Sequence, residues 1–330
     1  MGSDFRILGE LEVRQDGTRI KLGSPRQRAL LIRLLISPGE LVTTDRLVED
    51  LWHGNPPETA WHMVHVYVSR LRKALCRDGA RLERRGTGYC FSIEPGELDV
   101  PRFEHLATEG RAALARHDAD GASVQLREAL NLWRGPALAE FADEEFAREE
   151  AVRLNELKLA TLEQRMWADL ELGRHCEVVE ELQDLANQHP FRETFWEQLM
   201  LALYRSGRQA DALRSYQMAR ANLVEQLGLD PGPALRRMEE RILAHDPSLE
   251  PARTVDASHN RHEMPLQRTS FVGRERELAQ AAELLERSRL LTLTGAPGSG
   301  KTRLALAWSR LSHLSPGRAD RSHEDHHGRR

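Results

Sequence analysis

The 330-residue sequence predicts three successive parts of different fold class: an α+β domain, an all-α domain and an incomplete α/β segment. The first part is indicated by a basic amphipathic helix that leads at once into a short β-hairpin, within residues 58–91. The second is indicated by two glycine-centred turns, at Gly173 and Gly207, which stand 34 residues apart in a long helical stretch. The third is indicated by a glycine-rich loop that follows a single strand near residue 295.

The α+β domain, residues 1–97, begins with short strands and two helices. Three segments alternate apolar and polar residues as β-strands do: residues 5–9, 11–14 and 19–22. A helix is predicted from about Pro25 to Ile36, because proline is favoured in the first turn of a helix. A second helix is capped by residues 43–45 and ends near Trp52.

A third helix is predicted over residues 58–75, and its two sides differ. The apolar residues recur at helical spacing and have to be buried: Val64, Val68, Leu71 and Leu75. The opposite side carries a mainly polar and basic set, with two more residues on the flanks: Thr59, His62, Val66, Ser69, Arg70 and Lys73, then Tyr67 and Arg72. An α-helix fits the DNA major groove, where arginine pairs with guanine or grips a phosphate. The pattern therefore predicts a duplex-reading helix, and the alternative is an ordinary solvated charged face.

The hairpin after this helix has a basic tip. Gly86 and Gly88 permit positive φ there, and we expect the side chains of Tyr89 and Phe91 to pack on the core. Three residues at the tip are expected to project toward DNA sugar and phosphate: Arg84, Arg85 and Thr87. From residue 62 to residue 85, seven Arg and Lys stand against two acids, which favours a polyanionic partner.

The order of strands, three helices and a β-wing resembles a known family. Residues 5–94 resemble the OmpR/PhoB-type winged-helix domain of response regulators, on the segments VYVSRLRKAL and RGTGY. The resemblance implies base contacts from helix 58–75 and contact of the loop 53–58 with RNA polymerase. It also implies phosphate contacts from these residues: Arg70, Arg72, Arg85 and Thr87. Thr44, at a helix N-terminus, is expected to add a phosphate contact through its backbone N–H. No receiver domain stands before Phe5, so we expect no switch by receiver phosphorylation.

The middle of the chain is acidic and helical. From residue 98 to residue 250, 18 Arg and Lys stand against 29 Asp and Glu, so this part is not expected to touch nucleic acid. Helices are predicted over residues 101–116, 121–133, 144–172, 175–187, 192–205, 209–226 and 233–244. The turns at Gly173 and Gly207 resemble those of tetratricopeptide repeats, whose helix pairs stack and leave a concave surface for a partner. The alternative is a plain helical bundle without a partner.

The two ends of this all-α part carry a narrower resemblance. The segments DVPRF at residues 99–103 and LGLDPGPAL at residues 227–235 resemble the ends of the bacterial transcriptional activation domain. That domain follows an OmpR-type winged helix in the antibiotic regulatory proteins called SARPs, and the resemblance covers residues 5–245. It implies an activator of secondary-metabolite genes that binds direct repeats beside a promoter and recruits RNA polymerase. The corresponding domain is predicted over residues 98–245, with a mobile linker over residues 246–269.

Residues 270–311 predict a truncated nucleotide-binding segment. A strand at residues 290–294 leads into G-x-x-x-x-G-K-T and a helix, the setting that this phosphate-binding motif requires. The candidate nucleotide-binding residues are Gly295, Gly298, Gly300, Lys301 and Thr302. The preceding FVGRERE resembles the start of signal-transduction (STAND-type) ATPases. No later strand ends in an acidic metal ligand, so ATP and Mg²⁺ are not expected to be required and no enzymatic activity is expected.

Further features place the chain among cytoplasmic proteins. Cys76, Cys90 and Cys176 have neither metal-ligand spacing nor the number for a disulfide framework. No apolar run of 18 residues and no signal sequence occur, and the polar tail 312–330 is expected to be disordered. We therefore expect a DNA-binding activator that acts as a homodimer or oligomer, with no metal site and no membrane partner. The alternatives are a nucleotide-switched regulator, in which the phosphate-binding loop controls DNA binding, and a scaffold.

Overall fold

The computed structural model describes residues 3–75 and 81–250, together with residues 276, 277, 279, 280, 283, 284, 292 and 294. The predicted nucleotide-binding residues lie outside this described part: Gly295, Gly298, Gly300, Lys301 and Thr302. Cys76, most of the predicted linker and the predicted tail 312–330 lie outside it as well. The described residues up to Glu250 belong to one unit.

Among residues 3–75 and 81–97, the structure contains six strands and three helices. In chain order these are β1 (Ser3–Arg6), β2 (Glu12–Gln15), β3 (Thr18–Arg19), α1 (Pro25–Ile36), β4 (Val42–Thr43), α2 (Thr44–Trp52), α3 (Ala60–Ala74), β5 (Leu82–Arg85) and β6 (Gly88–Phe91). One antiparallel sheet has the order β1-β2-β3 and the other has the order β4-β6-β5. The predicted α+β winged helix is confirmed, with one strand, β4, that the sequence pattern did not indicate.

The remainder of the described unit is helical. In chain order the helices are α4 (Asp99–Ala115), α5 (Ala119–Asn131), α6 (Glu145–Glu171), α7 (His175–Gln188), α8 (Glu193–Arg205), α9 (Gln209–Leu227) and α10 (Pro233–Leu243). A short 3-10 helix, Pro247–Leu249, follows. The predicted all-α domain is therefore confirmed, and each of its seven predicted helices has a counterpart in the structure.

The first sheet and the first helices of the all-α part share one hydrophobic core. Phe5 on β1 and Phe103 on α4 are both fully buried in it, and the apolar side chains of α1, α2 and α3 belong to the same cluster. The chain just after β1 is also held by backbone bonds: Leu138 N–H donates to the Ile7 carbonyl (2.9 Å) and Arg134 N–H to the Leu8 carbonyl (2.9 Å). The boundary predicted at residue 97 is thus a change of composition within a continuous core.

Asp99, the first residue of α4, strengthens this junction. Its buried carboxylate accepts the backbone N–H groups of Ile7 (2.9 Å) and Leu8 (2.9 Å), and Arg134 approaches it at 3.9 Å. Burial raises the pKa of Asp99 to about 6, against the opposing effect of those two N–H donors and of Arg134. The junction therefore contains an ionisable group that titrates near neutral pH.

Helix α6 joins the first core to a second core. With 27 residues it spans about 40 Å. Leu154 belongs to the first core, whereas Met166 and Leu170 belong to the second, which also contains the apolar faces of α7 to α10. The same helix carries the fully buried Asp169, which holds Arg127 of α5 at 2.7 Å. Helix α6 thus contributes buried side chains to both cores.

The two predicted repeat turns have the same geometry. Gly173 has φ +75° and Gly207 has φ +74°, and each follows the end of a helix. The backbone N–H of the residue after each glycine donates a hydrogen bond to the carbonyl five residues earlier. These bonds join Arg174 to Asp169 (2.9 Å) and Arg208 to Leu203 (2.9 Å). Glycine is favoured at such helix ends because an L side chain would strain the left-handed backbone.

The predicted linker begins too early. Asp246 caps the short helix Pro247–Leu249 by accepting the Ser248 N–H at 2.9 Å. Leu249 is buried in the second core, and its carbonyl accepts a bond from Arg205 at 2.7 Å. Residues 246–249 were predicted to be mobile because the segment 246–269 is polar, contains proline and has little apolar pattern, but the side chain of Leu249 packs in the second core.

Candidate nucleic-acid interface

Helix α3 presents one buried side and one exposed side. The whole predicted apolar stripe is buried: Val64, Val68, Leu71 and Leu75. Six of the predicted contact residues of this helix are exposed: Thr59, His62, Ser69, Arg70, Arg72 and Lys73. Val66 lies between them and is half-buried. The division into two sides was predictable because it depends only on helical periodicity.

Tyr67 was predicted on the DNA-facing flank, and the structure places it in the core. It is only 6% exposed, and its ring stacks on Trp52 at a centroid distance of 6.4 Å with an interplanar angle of 15°. The helix period puts Tyr67 next to the buried stripe, and the C-terminal residue of α2 then covers it. This burial removes Tyr67 from the candidate interface.

The wing is fastened to the start of α2. Thr44 donates both its backbone N–H (2.9 Å) and its hydroxyl (2.8 Å) to the Thr87 carbonyl at the hairpin turn. The predicted phosphate contact through the Thr44 N–H is therefore wrong, because that donor already has a partner. Thr43, one residue earlier, is the helix cap and accepts the Arg46 N–H. The Thr87 side chain itself is exposed.

Two side chains of α3 also hold the wing. His65 Nδ1 is hydrogen-bonded to the Tyr89 hydroxyl, and Arg72 Nε donates to the Leu82 carbonyl at 2.8 Å. Burial raises the pKa of the Tyr89 phenol, with Arg84 and Arg72 acting in the opposite direction, so the hydroxyl stays protonated at neutral pH. Arg72 was predicted as a phosphate contact, and the structure gives its Nε a positioning bond.

The hairpin register separates the three tip residues. Arg84 pairs with Tyr89 across the two strands, so it lies on the face of the hairpin that carries the tyrosine. Arg85 lies on the other face and forms an ion pair with Glu83 at 3.0 Å. That hydrogen bond raises the pKa of Arg85. In the described part of the chain, Arg84 and Arg70 have no acidic partner, which leaves these two guanidinium groups available to an anion.

Sequence reasoning missed two residues beside this surface. His65 was assigned to neither side of α3, although its bond to Tyr89 fixes the angle between helix and wing. Trp61 is 45% exposed in the first turn of α3, where its indole N–H donates to Asp45 of α2 at 2.8 Å. The spacing of Trp61, three residues before Val64, did not indicate its exposure, and the His65 bond required the position of β6.

The loop between α2 and α3 bridges two parts of the unit. It begins at His53, whose backbone is left-handed (φ 52°) and whose Nε2 contacts the Glu144 carboxylate at 2.9 Å. Gly54, Asn55 and Glu58 are exposed. The predicted polymerase-contact loop 53–58 is therefore accessible, and one of its ends is anchored to the helical part.

The described residues contain no group of three or more His, Cys, Asp or Glu side chains with the geometry for holding a metal ion. Among the described helices, none has the length and apolarity needed to cross a membrane.

Family models match both parts of the described unit. The model described as "Transcriptional regulatory protein, C terminal" matches residues 17–91, which include α3 and the wing. The model described as "Bacterial transcriptional activator domain" matches residues 98–243. The solved structure of Mycobacterium tuberculosis EmbR in complex with a low affinity phosphopeptide superposes with a TM-score of 0.71 at 39% identity. The match covers 74% of this chain and 66% of the EmbR chain.

Curated relatives agree with both models. DnrI of Streptomyces peucetius, a regulatory protein, is 34% identical over 255 residues, which cover 74% of this chain and 94% of DnrI. The chain belongs to the SARP family of regulators. A longer SARP relative, the regulatory protein AfsR of Streptomyces coelicolor, is 38% identical over 318 residues, which cover 92% of this chain. The chain spans 32% of the length of AfsR and 64% of the length of Mycobacterium EmbR.

Proposed function

We propose that this chain is a DNA-binding transcriptional activator of secondary-metabolite biosynthesis that acts in the bacterial cytoplasm and is not an enzyme. The observation that carries the proposal is the exposed face of α3, with the wing held beside it at three points. His62, Ser69 and Arg70 are available to base edges in the major groove, and Arg84 is available to a phosphate. Membership of the SARP family supports the same function.

The proposal includes the form in which DNA is bound. Protomers bind direct repeats beside a promoter side by side, as a homodimer or larger oligomer. The acidic helical part, with 18 Arg and Lys against 29 Asp and Glu, stays off the DNA because like charges repel. DNase I footprinting on promoters near the protein's own gene tests this arrangement. Two protected segments of the same orientation are expected, and a single or inverted pair would contradict it.

The division of work between helix and wing is tested by fluorescence anisotropy with a footprinted duplex and a random duplex. Arg70→Ala is expected to weaken specific binding by about 1–3 kcal/mol and to relax the sequence preference. Arg84→Ala is expected to weaken binding of both duplexes by the same factor. It is also expected to lower the slope of log affinity against log salt concentration by about one. Arg85→Ala is expected to have a smaller effect, since Arg85 is already paired with Glu83.

Arg111→Ala is the matched control for these variants, because Arg111 is an exposed arginine of α4, remote in sequence from α3 and the wing. Its DNA affinity is expected to equal that of the unmodified chain. If Arg70→Ala and Arg84→Ala act identically on specific and random DNA, the proposed division between base and phosphate contacts is wrong. If neither differs from Arg111→Ala, the proposed interface itself is wrong.

The loop 53–58 is proposed to contact RNA polymerase. Glu58 is exposed and has no ion-pair partner among the described residues, so its removal leaves the fold intact. Glu58→Ala and Asn55→Ala are expected to retain DNA affinity while promoter activation in a purified transcription assay falls toward the basal level. Unchanged activation by the double variant would exclude this loop as the polymerase contact.

A further inference from the structure

A cleft of about 560 Å³ lies where the winged helix meets the helical part. We call it the junction cleft. It is lined by the start of α1, the end of α2, Tyr67 of α3, Phe141 in the segment that leads into α6, and Phe146 in the first turn of α6. Its volume falls within the range of about 300–1,000 Å³ that is usual for small-molecule sites. Nothing in the proposed DNA contacts uses it.

Two residues that line the junction cleft carry hydrogen-bond donors without partners in the described part of the chain. Trp52 is 7% exposed and Tyr67 is 6% exposed, and both line the cleft. Within the described part of the chain, neither the Trp52 indole N–H nor the Tyr67 hydroxyl has a hydrogen-bond partner. A cleft whose lining residues carry two such donors is suited to a molecule that carries acceptors.

The cleft also contains one cation without an acidic partner in the described chain. Arg26, in the first turn of α1, lies over the Trp52 ring at 5.3 Å from the centroid. The two acids of the cleft are already engaged: Asp50 holds Arg33 at 2.8 Å and Glu144 holds His53 at 2.9 Å. A guanidinium that lies over an aromatic ring keeps its in-plane N–H groups for a carboxylate. The N-terminal end of α1 adds to the positive potential at the same place.

We propose that the junction cleft binds an aromatic carboxylic acid. The carboxylate pairs with Arg26, the ring rests against Phe141 and Phe146, and a ring hydroxyl or carbonyl accepts from Tyr67 or Trp52. A neutral apolar molecule would leave Arg26 and both donors unused, and an aromatic cation would be repelled by Arg26. The ligand would touch α3 directly through Tyr67, three residues before Arg70.

Isothermal titration of the full chain tests the proposal with three acids of increasing size: salicylate, 3-hydroxy-2-naphthoate and anthracene-9-carboxylate. At least one is expected to bind saturably with one site per chain. The amide of the best acid is expected to bind at least 10-fold more weakly, because it has the same ring and no charge. Absence of saturable binding by all three acids overturns the proposal, and so does equal binding of acid and amide.

Variants locate the site. Arg26→Gln is expected to weaken binding of the acid at least 10-fold and to abolish the preference over the amide. Tyr67→Phe, which removes only the hydroxyl oxygen, is expected to weaken binding of the hydroxylated acid by about 3-fold or more. Arg111→Gln is the charge-matched control and is expected to bind normally. Unfolding midpoints of all variants check that the fold is retained. Equal affinity of Arg26→Gln and Arg111→Gln would place the binding elsewhere and overturn the assignment.

Discussion

The two larger hydrophobic cores of the described unit differ in the elements that they contain. The first core combines strands and helices of the winged helix with α4, α5 and the start of α6, and it contains Phe5 and Phe103. The second core consists of helices alone, from the end of α6 to α10, and includes Trp196. A change in composition at residue 97 therefore marks a change of surface charge, and the boundary between the two cores lies further along, within α6.

The largest expected effect is the loss of stability when an aromatic side chain is removed from either core. Phe103 is fully buried and meets Trp133 edge-on at 5.3 Å, so Phe103→Ala is expected to lower the free energy of unfolding by about 3–5 kcal/mol. Trp196→Ala, in the second core, is expected to lower it by a similar amount. Hydrogen exchange distinguishes the variants: Phe103→Ala is expected to speed exchange in β1 and α1, and Trp196→Ala mainly in α7 to α9. Unchanged protection of α1 in Phe103→Ala would contradict a shared core.

The next effect concerns the pH dependence of the junction. The pKa of Asp99 rises from 3.8 to about 6 on folding, so between these pH values the folded chain holds a proton that the unfolded chain has released. Protonation of Asp99 contributes fully to the free energy of unfolding below about pH 4, and this contribution is lost as pH rises through 6. The free energy of unfolding changes by about 3 kcal/mol over this range. Asp99→Asn is expected to flatten this dependence. Urea unfolding of the unmodified chain and of Asp99→Asn from pH 4.5 to pH 7.5 measures this difference. If the free energies of unfolding of the two proteins depend on pH in the same way, the assignment to Asp99 is wrong.

A smaller effect tests the wing. A Cβ at Gly88 would meet the Val42 carbonyl oxygen at 2.2 Å and Thr43 Cα at 2.7 Å, so β4 has to move in Gly88→Ala. We expect a loss of about 1–3 kcal/mol in stability and weaker DNA binding. Gly86→Ala is the matched control, because Gly86 has φ +54° and open space around it. It is expected to lose about 1 kcal/mol and to keep its DNA affinity. Equal DNA affinities of the two variants would show that β4 does not position the wing.

The smallest effect is expected on the acidic surface. Arg153 of α6 pairs with Glu150 and with Glu104 of α4, each at 2.7 Å, and these acids raise its pKa. Exposed ion pairs contribute little because water screens them, so Arg153→Ala is expected to lower stability by less than about 1 kcal/mol. DNA affinity is expected to be unchanged. A larger loss in thermal or urea unfolding would indicate that this network couples α4 to α6 more strongly than its exposure allows.

Local signals predicted the helices well. Helix α1 begins at Pro25 and α10 begins at Pro233, as expected for proline in a first turn, and α9 ends before Gly228 in a left-handed cap. The two sides of α3 followed from its period. These features depend on residues within one or two helical turns of each other, which is why the sequence pattern was sufficient.

Features that depend on distant residues were not predictable. Tyr67 is buried because Trp52 covers it, and the Thr44 N–H has a partner because the wing turn places the Thr87 carbonyl there. Strand β4 has only two residues and exists through its pairing with β6. The clamp of Asp99 on Ile7 and Leu8 joins groups more than 90 residues apart. No local pattern specifies such partners.

The threading of residues 5–9 between α4 and the segment around Arg134 has a practical consequence for protein engineering. A hybrid regulator that exchanges only residues 1–97 with those of a relative would place a foreign strand against Asp99, Arg134 and Leu138, and against the core that contains Phe103. Redirecting such a protein to a new operator is better achieved by grafting the solvent-facing positions of one helix, since those side chains can change while everything beneath them stays native.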